Sequence, residues 1–297
     1  MQTNTSNNKF VKNLKLCILL LLLLHTVACS RNNIKPGEIP PPPGKIESST
    51  VQGSVRAVSG MAQEEGSTLV KTGADWQRVK RIMDKISKAS DMGPYPYPIF
   101  IAQNDDPATA NAFIYEGNTV VVYSSLLTAL KSDAELATVL AHETGHMLGK
   151  HHEDKTEESR GETLGVVSSI LGTVTSVGVS VATGSSGIGN MAGDVTSTGT
   201  AYVGKGAFVK AYSRDMEREA DTIGIVLMAK AGYDPRAAVD LWKRADEIFG
   251  GGSGSSFMSS HPSNEDRAEE LEAQLDVALK FYEAEGKGEK GSGKKKK

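Results

Sequence analysis

The stretch Ser132-Asp133-Ala134-Glu135-Leu136-Ala137-Thr138-Val139-Leu140-Ala141-His142-Glu143-Thr144-Gly145-His146-Met147 decides how this chain is read. Ser132 stands three residues ahead of Glu135, the spacing of a capping box, so a helix is predicted to begin there. Leu136, Val139, Leu140, His142, Glu143, His146 and Met147 keep apolar and polar positions in one helical register. Residues four apart on a helix share a face. His142 and His146 therefore project side by side, close enough to grip one Zn²⁺, with Glu143 placed to reach a water held by the ion.

A zinc site that does chemistry takes three protein ligands and keeps one position open. Two residues compete for the third place. His152 completes the spacing H-E-x-x-H-x-x-G-x-x-H through Gly149, the metzincin arrangement in which a glycine turns the chain back. Glu217, in Met216-Glu217-Arg218-Glu219-Ala220-Asp221, lies on a second predicted helix running to about Lys230. Asp221 follows four residues later on the same face, where it can accept a hydrogen bond from a ligand imidazole. Glu217 is preferred, because Lys150 to Glu158 contains no Gly or Pro and reads as continued helix, and no Met-turn is evident. His151 and His152 are then expected to be exposed or helix-ending residues. A further landmark is His261, directly before Pro262 and at the start of the last predicted helix. A histidine held on such a loop can point into a site and stabilise a developing oxyanion.

Taken in order, His142-Glu143-x-x-His146, Glu217-x-x-x-Asp221 and His261-Pro262 with Arg267 resemble the HtpX and CAAX prenyl endopeptidase family of zinc metallopeptidases, in particular its small bacterial periplasmic lipoproteins. The stretch Asn111-Ala112-Phe113 up to Val122 resembles that family's hairpin ahead of the metal helix. The resemblance spans roughly residues 70 to 285. It implies that His142, His146 and Glu217 bind one Zn²⁺, that Glu143 is the catalytic base, that Asp221 supports a ligand and that His261 assists the transition state. It also implies that the strand edge at Asn111, Ala112 and Phe113 receives substrate as an added strand. The chain departs from many relatives in having one apparent membrane anchor rather than several spanning helices, and in carrying Gly149.

The ends of the chain read as address and tether. Lys9, Lys12 and Lys15 precede an apolar core, Leu16 to Leu24, too short to span a bilayer as a mature helix. Thr26-Val27-Ala28-Cys29 resembles a bacterial lipobox, so residues 1–28 are expected to be a lipoprotein signal peptide and Cys29 the lipidated, palmitate-bearing residue. Ser30 after it fits sorting to the periplasmic face of the outer membrane. Cys17 is the only other cysteine and is removed with the signal, so no internal disulfide is expected. Residues 29–60, with Pro40-Pro41-Pro42-Pro43-Gly44, read as a tether, and residues 286–297 as a disordered basic tail. A formal net charge of −3 argues against nucleic acid as a partner.

Between these ends, residues 61–285 are long enough for one domain with a real core. A helix is expected over Asp75 to Ala89, with Trp76, Val79, Met83 and Ile86 on one stripe. Ile99 to Ala102, Ala112 to Tyr115 and Thr119 to Tyr123 read as strands, the last two joined through Glu116-Gly117-Asn118. Helices follow: a short one at Ser125 to Leu130, the two metal helices, one opened by Asp234-Pro235, and a last one carrying Leu271, Leu275, Ala278 and Tyr282. Few strands followed by many helices gives an α+β, mainly helical fold of zincin type. The uncharged, Gly-rich segment Thr163 to Gly193 is expected to be a buried or half-buried helix pair, a mobile cover over the site, or a membrane-dipping element. The expected activity is zinc-dependent hydrolysis of unfolded or misassembled envelope polypeptides. The rivals are a non-proteolytic chaperone or adaptor lipoprotein using the same strand edge, and a hydrolase of non-peptide amides.

Overall fold

The computed structural model describes residues 34–152, 212–249, 257, 261 and 266–292, with side chains as far as 286. The signal segment, Cys29, Thr163 to Gly193 and residues 293–297 lie outside the described residues; residues 286–292, expected to belong to the disordered tail, lie instead in the last helix.

Strands β1 (Thr68–Val70), β2 (Ile99–Gln103), β3 (Ala112–Tyr115) and β4 (Thr119–Tyr123) form one sheet in the order β1-β2-β4-β3. Three of these match the expected strands; β1, only three residues long, is an addition. The β2–β4 pair is parallel and the other two pairs are antiparallel, with Ala112 opposite Val122 and Tyr115 opposite Thr119 in the hairpin. The connecting turn takes left-handed backbone at Gly117 (φ 74°) and Asn118 (φ 60°), which is why a glycine and an asparagine stand there.

Every residue of β4 is buried, Thr119-Val120-Val121-Val122-Tyr123 without alternation, so both sheet faces must be covered. On one face Ile99, Ile101, Ile114, Val120 and Val122 join a large core with α2 (Ala74–Ala89) and α4 (Asp133–Leu148). On the other, Phe100, Ala102, Val121 and Tyr123 pack with Val58 of α1 (Ser48–Glu64). This helix lies where a flexible spacer was expected. It exists because the sheet's second face would otherwise expose its apolar row to water. Ile34 and Ile39 also pack against the main core, so the tether expectation does not hold for the segment from Ile34 onward.

The remaining helices among the described residues are α3 (Ser124–Ala129), α5 (Arg214–Lys230), α6 (Arg236–Lys243), α7 (Ala245–Phe249), α8 (Arg267–Glu272) and α9 (Leu275–Ser292). The expected last helix is thus two segments, and it begins at Arg267 rather than beside His261. The mainly helical α+β fold expected from the sequence is the fold observed. No described helix is long and apolar enough to cross a membrane.

Candidate metal centre

Two helices build the site, and each is started by a serine. The Ser132 hydroxyl accepts the Glu135 backbone N–H at 3.2 Å at the head of α4, and Ser213 does the same for Met216 at 3.3 Å at the head of α5. The capping box is only half formed: the Glu135 carboxylate accepts from the Lys131 N–H at 2.6 Å and is held by Arg244 at 2.6 Å. Downstream of the caps, α4 and α5 cross in close contact. A Cβ at Gly145 would lie 2.5 Å from the Ala220 carbonyl oxygen, and one at Gly224 would lie 3.0 Å from the His142 nitrogen. Two glycines at the crossing let the backbones approach until the side chains of both helices converge.

What converges is His142, His146, Glu217 and His261, all buried, with one donor atom from each lying within 4.8 Å of all the others. His142 Nε2 is 3.1 Å from His146 Nε2, and the Glu217 carboxylate spans the pair, with Oε2 3.5 Å from the first and Oε1 3.3 Å from the second. Tetrahedral Zn²⁺ with bonds of ~2.0–2.1 Å spaces its ligand atoms about 3.3 Å apart. The three donors therefore fit a divalent ion in kind and in spacing. His261 Nδ1 lies 3.0 Å from Glu217 Oε1 and 3.4 Å from His142 Nε2, beside the fourth corner, and its Nε2 faces Glu143 at 3.4 Å.

His142 and Glu217 are held from behind. His142 Nδ1 is 2.8 Å from Asp221 Oδ1, the contact expected from the Glu217–Asp221 spacing, which leaves Nε2 towards the centre. Arg267 then donates Nε and Nη2 to Asp221 at 2.8 and 2.7 Å and Nη1 to Glu217 at 2.8 Å. Its guanidinium lies 3.5 Å from the centre of the Trp242 ring. His261 is stacked on Phe257 at 4.6 Å on one side, with Tyr212 at 5.1 Å on another, and Tyr212 stacks on His146 at 3.7 Å. Both carboxylate oxygens of Glu143 are buried without a hydrogen bond among the described residues.

The charges follow from this packing. Burial pushes the Glu143 carboxyl above its ordinary value, against the pull of His261 and His142. Burial would do the same to Glu217, but His261, His146 and His142 outweigh it and hold that carboxyl well below the usual range. For His146 burial dominates and keeps the imidazole neutral, the form that ligates metal. For His142 burial works in the same direction, but Asp221 wins and raises it.

The competing third ligand is not placed at the centre. Helix α4 ends at Leu148, not beyond Gly149, and Lys150 takes φ 58°. That turn brings His151 back against His146, whereas His152 Nδ1 meets the Tyr212 hydroxyl at 3.0 Å. The metzincin geometry with His152 is therefore not formed. Nor is His151 an exposed residue: it is 1% accessible, with Nδ1 2.7 Å from His146 Nδ1. Asn111 and Ala112 are buried and Phe113 half-buried, on or beside β3, the sheet edge that packs next to α4. His151, Tyr212 and Arg267 are site residues that residue-by-residue reading did not assign. Local signals existed only for His151, through the Gly149 two positions before it.

Residues 74–275 match the model of peptidase family M48. The chain is 32% identical over 201 residues to mitochondrial metalloendopeptidase OMA1 of Schizosaccharomyces pombe, covering 67% of this chain and 53% of that protein. It is 31% identical over 253 residues to the OMA1 of Arabidopsis thaliana, covering 80% and 46%. It is 27% identical over 177 residues to the beta-barrel assembly-enhancing protease of Escherichia coli K12, covering 58% and 33%. The chain thus spans about half the length of the OMA1 proteins it matches, and a third of the bacterial protease.

Proposed function

Because the chain belongs to peptidase family M48, we propose that it is a zinc-dependent endopeptidase whose site is His142, His146, Glu217, Glu143 and His261. The observation that carries this reading is the triangle of His142, His146 and Glu217 donors at metal-ligand spacing, with an unbonded buried carboxylate beside it. A divalent ion held by those three residues would supply Lewis acidity towards a carbonyl and lower the pKa of water towards neutrality.

The chain's own residues do the rest. Glu143 accepts a proton from the attacking water on a carboxylate oxygen and returns it to the departing amine. Its buried position, which raises its proton affinity, suits both transfers. His261 stands over the reacting position and stabilises charge as it develops on the substrate oxygen. Asp221, clamped by Arg267, keeps the proton of His142 on Nδ1. The β3 edge, running through Ala112 and Phe113 beside α4, suits an extended polypeptide that pairs as an added strand.

The same reading extends to place and substrate. The signal-like segment and Cys29 support a lipid-anchored protein at the periplasmic face of a bacterial outer membrane, and similarity to the beta-barrel assembly-enhancing proteases supports an envelope role. Its substrates are then unfolded or misassembled envelope polypeptides. Placement with the HtpX and CAAX prenyl endopeptidases rests on the three ordered motifs alone. The test is digestion of an unfolded protein such as casein, with and without chelator, by the native chain and by Glu143→Gln. The variant should keep stoichiometric zinc and lose turnover by at least ~100-fold. A zinc-loaded variant that still cleaves would overturn the assignment.

A further inference from the structure

The two ligand imidazoles are supported by different chemistry. His142 rests on a carboxylate, Asp221. His146 rests on another imidazole: its Nδ1 lies 2.7 Å from Nδ1 of His151, and His151 Nε2 lies 3.6 Å from Glu219 Oε2 on α5. Three local features deliver that ring. Helix α4 stops at Leu148, Lys150 turns the chain with φ 58°, and Gly149 leaves the necessary space. A Cβ on Gly149 would lie 2.5 Å from His151 Nε2 and 2.9 Å from its Cε1.

We propose that His151 is the positioning residue of the second metal ligand, accepting the His146 Nδ1–H on its own Nδ1 and so turning the His146 Nε2 lone pair to the centre. The proton of His151 then sits on Nε2, which faces the Glu219 carboxylate at 3.6 Å, an electrostatic contact rather than a hydrogen bond. The reason for an imidazole here is charge. Glu143, Glu217 and Asp221 are three buried carboxylates, which Arg267 together with a bound divalent ion would balance. A fourth carboxylate behind His146 would stand uncompensated in the interior, whereas a neutral imidazole accepts the same hydrogen bond and passes the anion outwards to half-buried Glu219. Gly149 belongs to this arrangement, not to a metzincin turn.

The inference rests on the metal site proposed above, and zinc affinity separates the two. Competition of the purified chain against a chromophoric chelator would be measured for the native chain, His151→Ala, His151→Asn, Gly149→Ala and the Gly149→Ala/His151→Ala pair. Loss of the supporting acceptor should weaken zinc binding by ~10–100-fold in His151→Ala. His151→Asn, whose amide oxygen can accept from His146 Nδ1, should recover most of that loss, which a filler of space alone would not do. Gly149→Ala should weaken binding by displacing the ring, and should cost nothing further once His151 is already Ala. Native-like affinity in His151→Ala, an Asn variant no better than Ala, or additive losses in the pair would each overturn the inference. Should His151→Ala not fold, the Asn and Gly149→Ala measurements decide it in the same sense. A native chain that binds no zinc would instead remove the metal-site reading itself.

Discussion

Arg267 is the largest fully buried side chain among the described residues, and it is charged. A guanidinium survives in the interior only when its donors and its charge are matched, and here the planar fork meets Asp221 with two nitrogens and Glu217 with a third. Removing it leaves two buried carboxylates facing each other without their cation. Arg267→Met should therefore lower the unfolding free energy by about 3–5 kcal/mol, read from urea denaturation. Arg267→Lys should recover little, because one ammonium cannot bridge both carboxylates. An unchanged midpoint in either variant would contradict this account. In the sequence Arg267 stands beside Asp266, Glu269 and Glu270, and the family resemblance marks it together with His261-Pro262 without giving it a role. Local periodicity could not set it apart, because its partners lie on another helix.

At the scale of elements, the crossing of α4 and α5 is the joint on which the site depends. Gly145 faces the backbone of Ala220, which cannot rotate away as a side chain would. Gly145→Ala should cost about 1–3 kcal/mol by overpacking, and should weaken zinc binding by moving Glu217 away from the imidazoles. Unchanged affinity would mean that the helices have room to spare. The start of α4 carries a second device. Burial works to raise the Asp133 carboxyl, but Arg78 and Arg81 of α2 outweigh it and hold it below its ordinary value. A depressed carboxyl adds stability above its unfolded value, near 4, and loses it as pH falls through the lower folded value. Asp133→Asn should accordingly flatten the fall in stability below about pH 4. At neutral pH its effect should be small, because the carboxylate is partly exposed and screened. Acid unfolding followed by circular dichroism checks both statements.

For the whole molecule, the three ligating side chains come from α4 and from α5, so an ion bound there would tie together helices that are distant in sequence. Ligation stabilises the folded state by mass action, ~2.7 kcal/mol when free zinc exceeds its dissociation constant a hundredfold. Chelation should lower the Tm and added zinc should restore it, in a calorimetric scan of one sample. A Tm indifferent to chelator would count against a metal that bridges these elements. The sheet makes a related point about the whole. Its second face is closed by α1, and the unbroken run Thr119-Val120-Val121-Val122-Tyr123 already demanded such a cover. The sequence did not say which segment would supply it, since α1 carries few apolar residues and follows a run of prolines.

The order of elements from α2 to α6, the start of α4 at Ser132, and the shared face of His142 and His146 with Glu143 beside them were determined by the sequence alone. So was the pairing of Glu217 with Asp221 on one helical face. All of these are consequences of spacing within a helix or a hairpin, where the backbone hydrogen bonds dictate geometry over a few residues. Tertiary structure alone decided that Glu217 and not His152 meets the histidines, that His151 turns inward, and that Arg267 closes the network. Those outcomes depend on how closely two helices cross at glycines and on one left-handed turn at Lys150. They are set by packing across the chain, which no local pattern encodes.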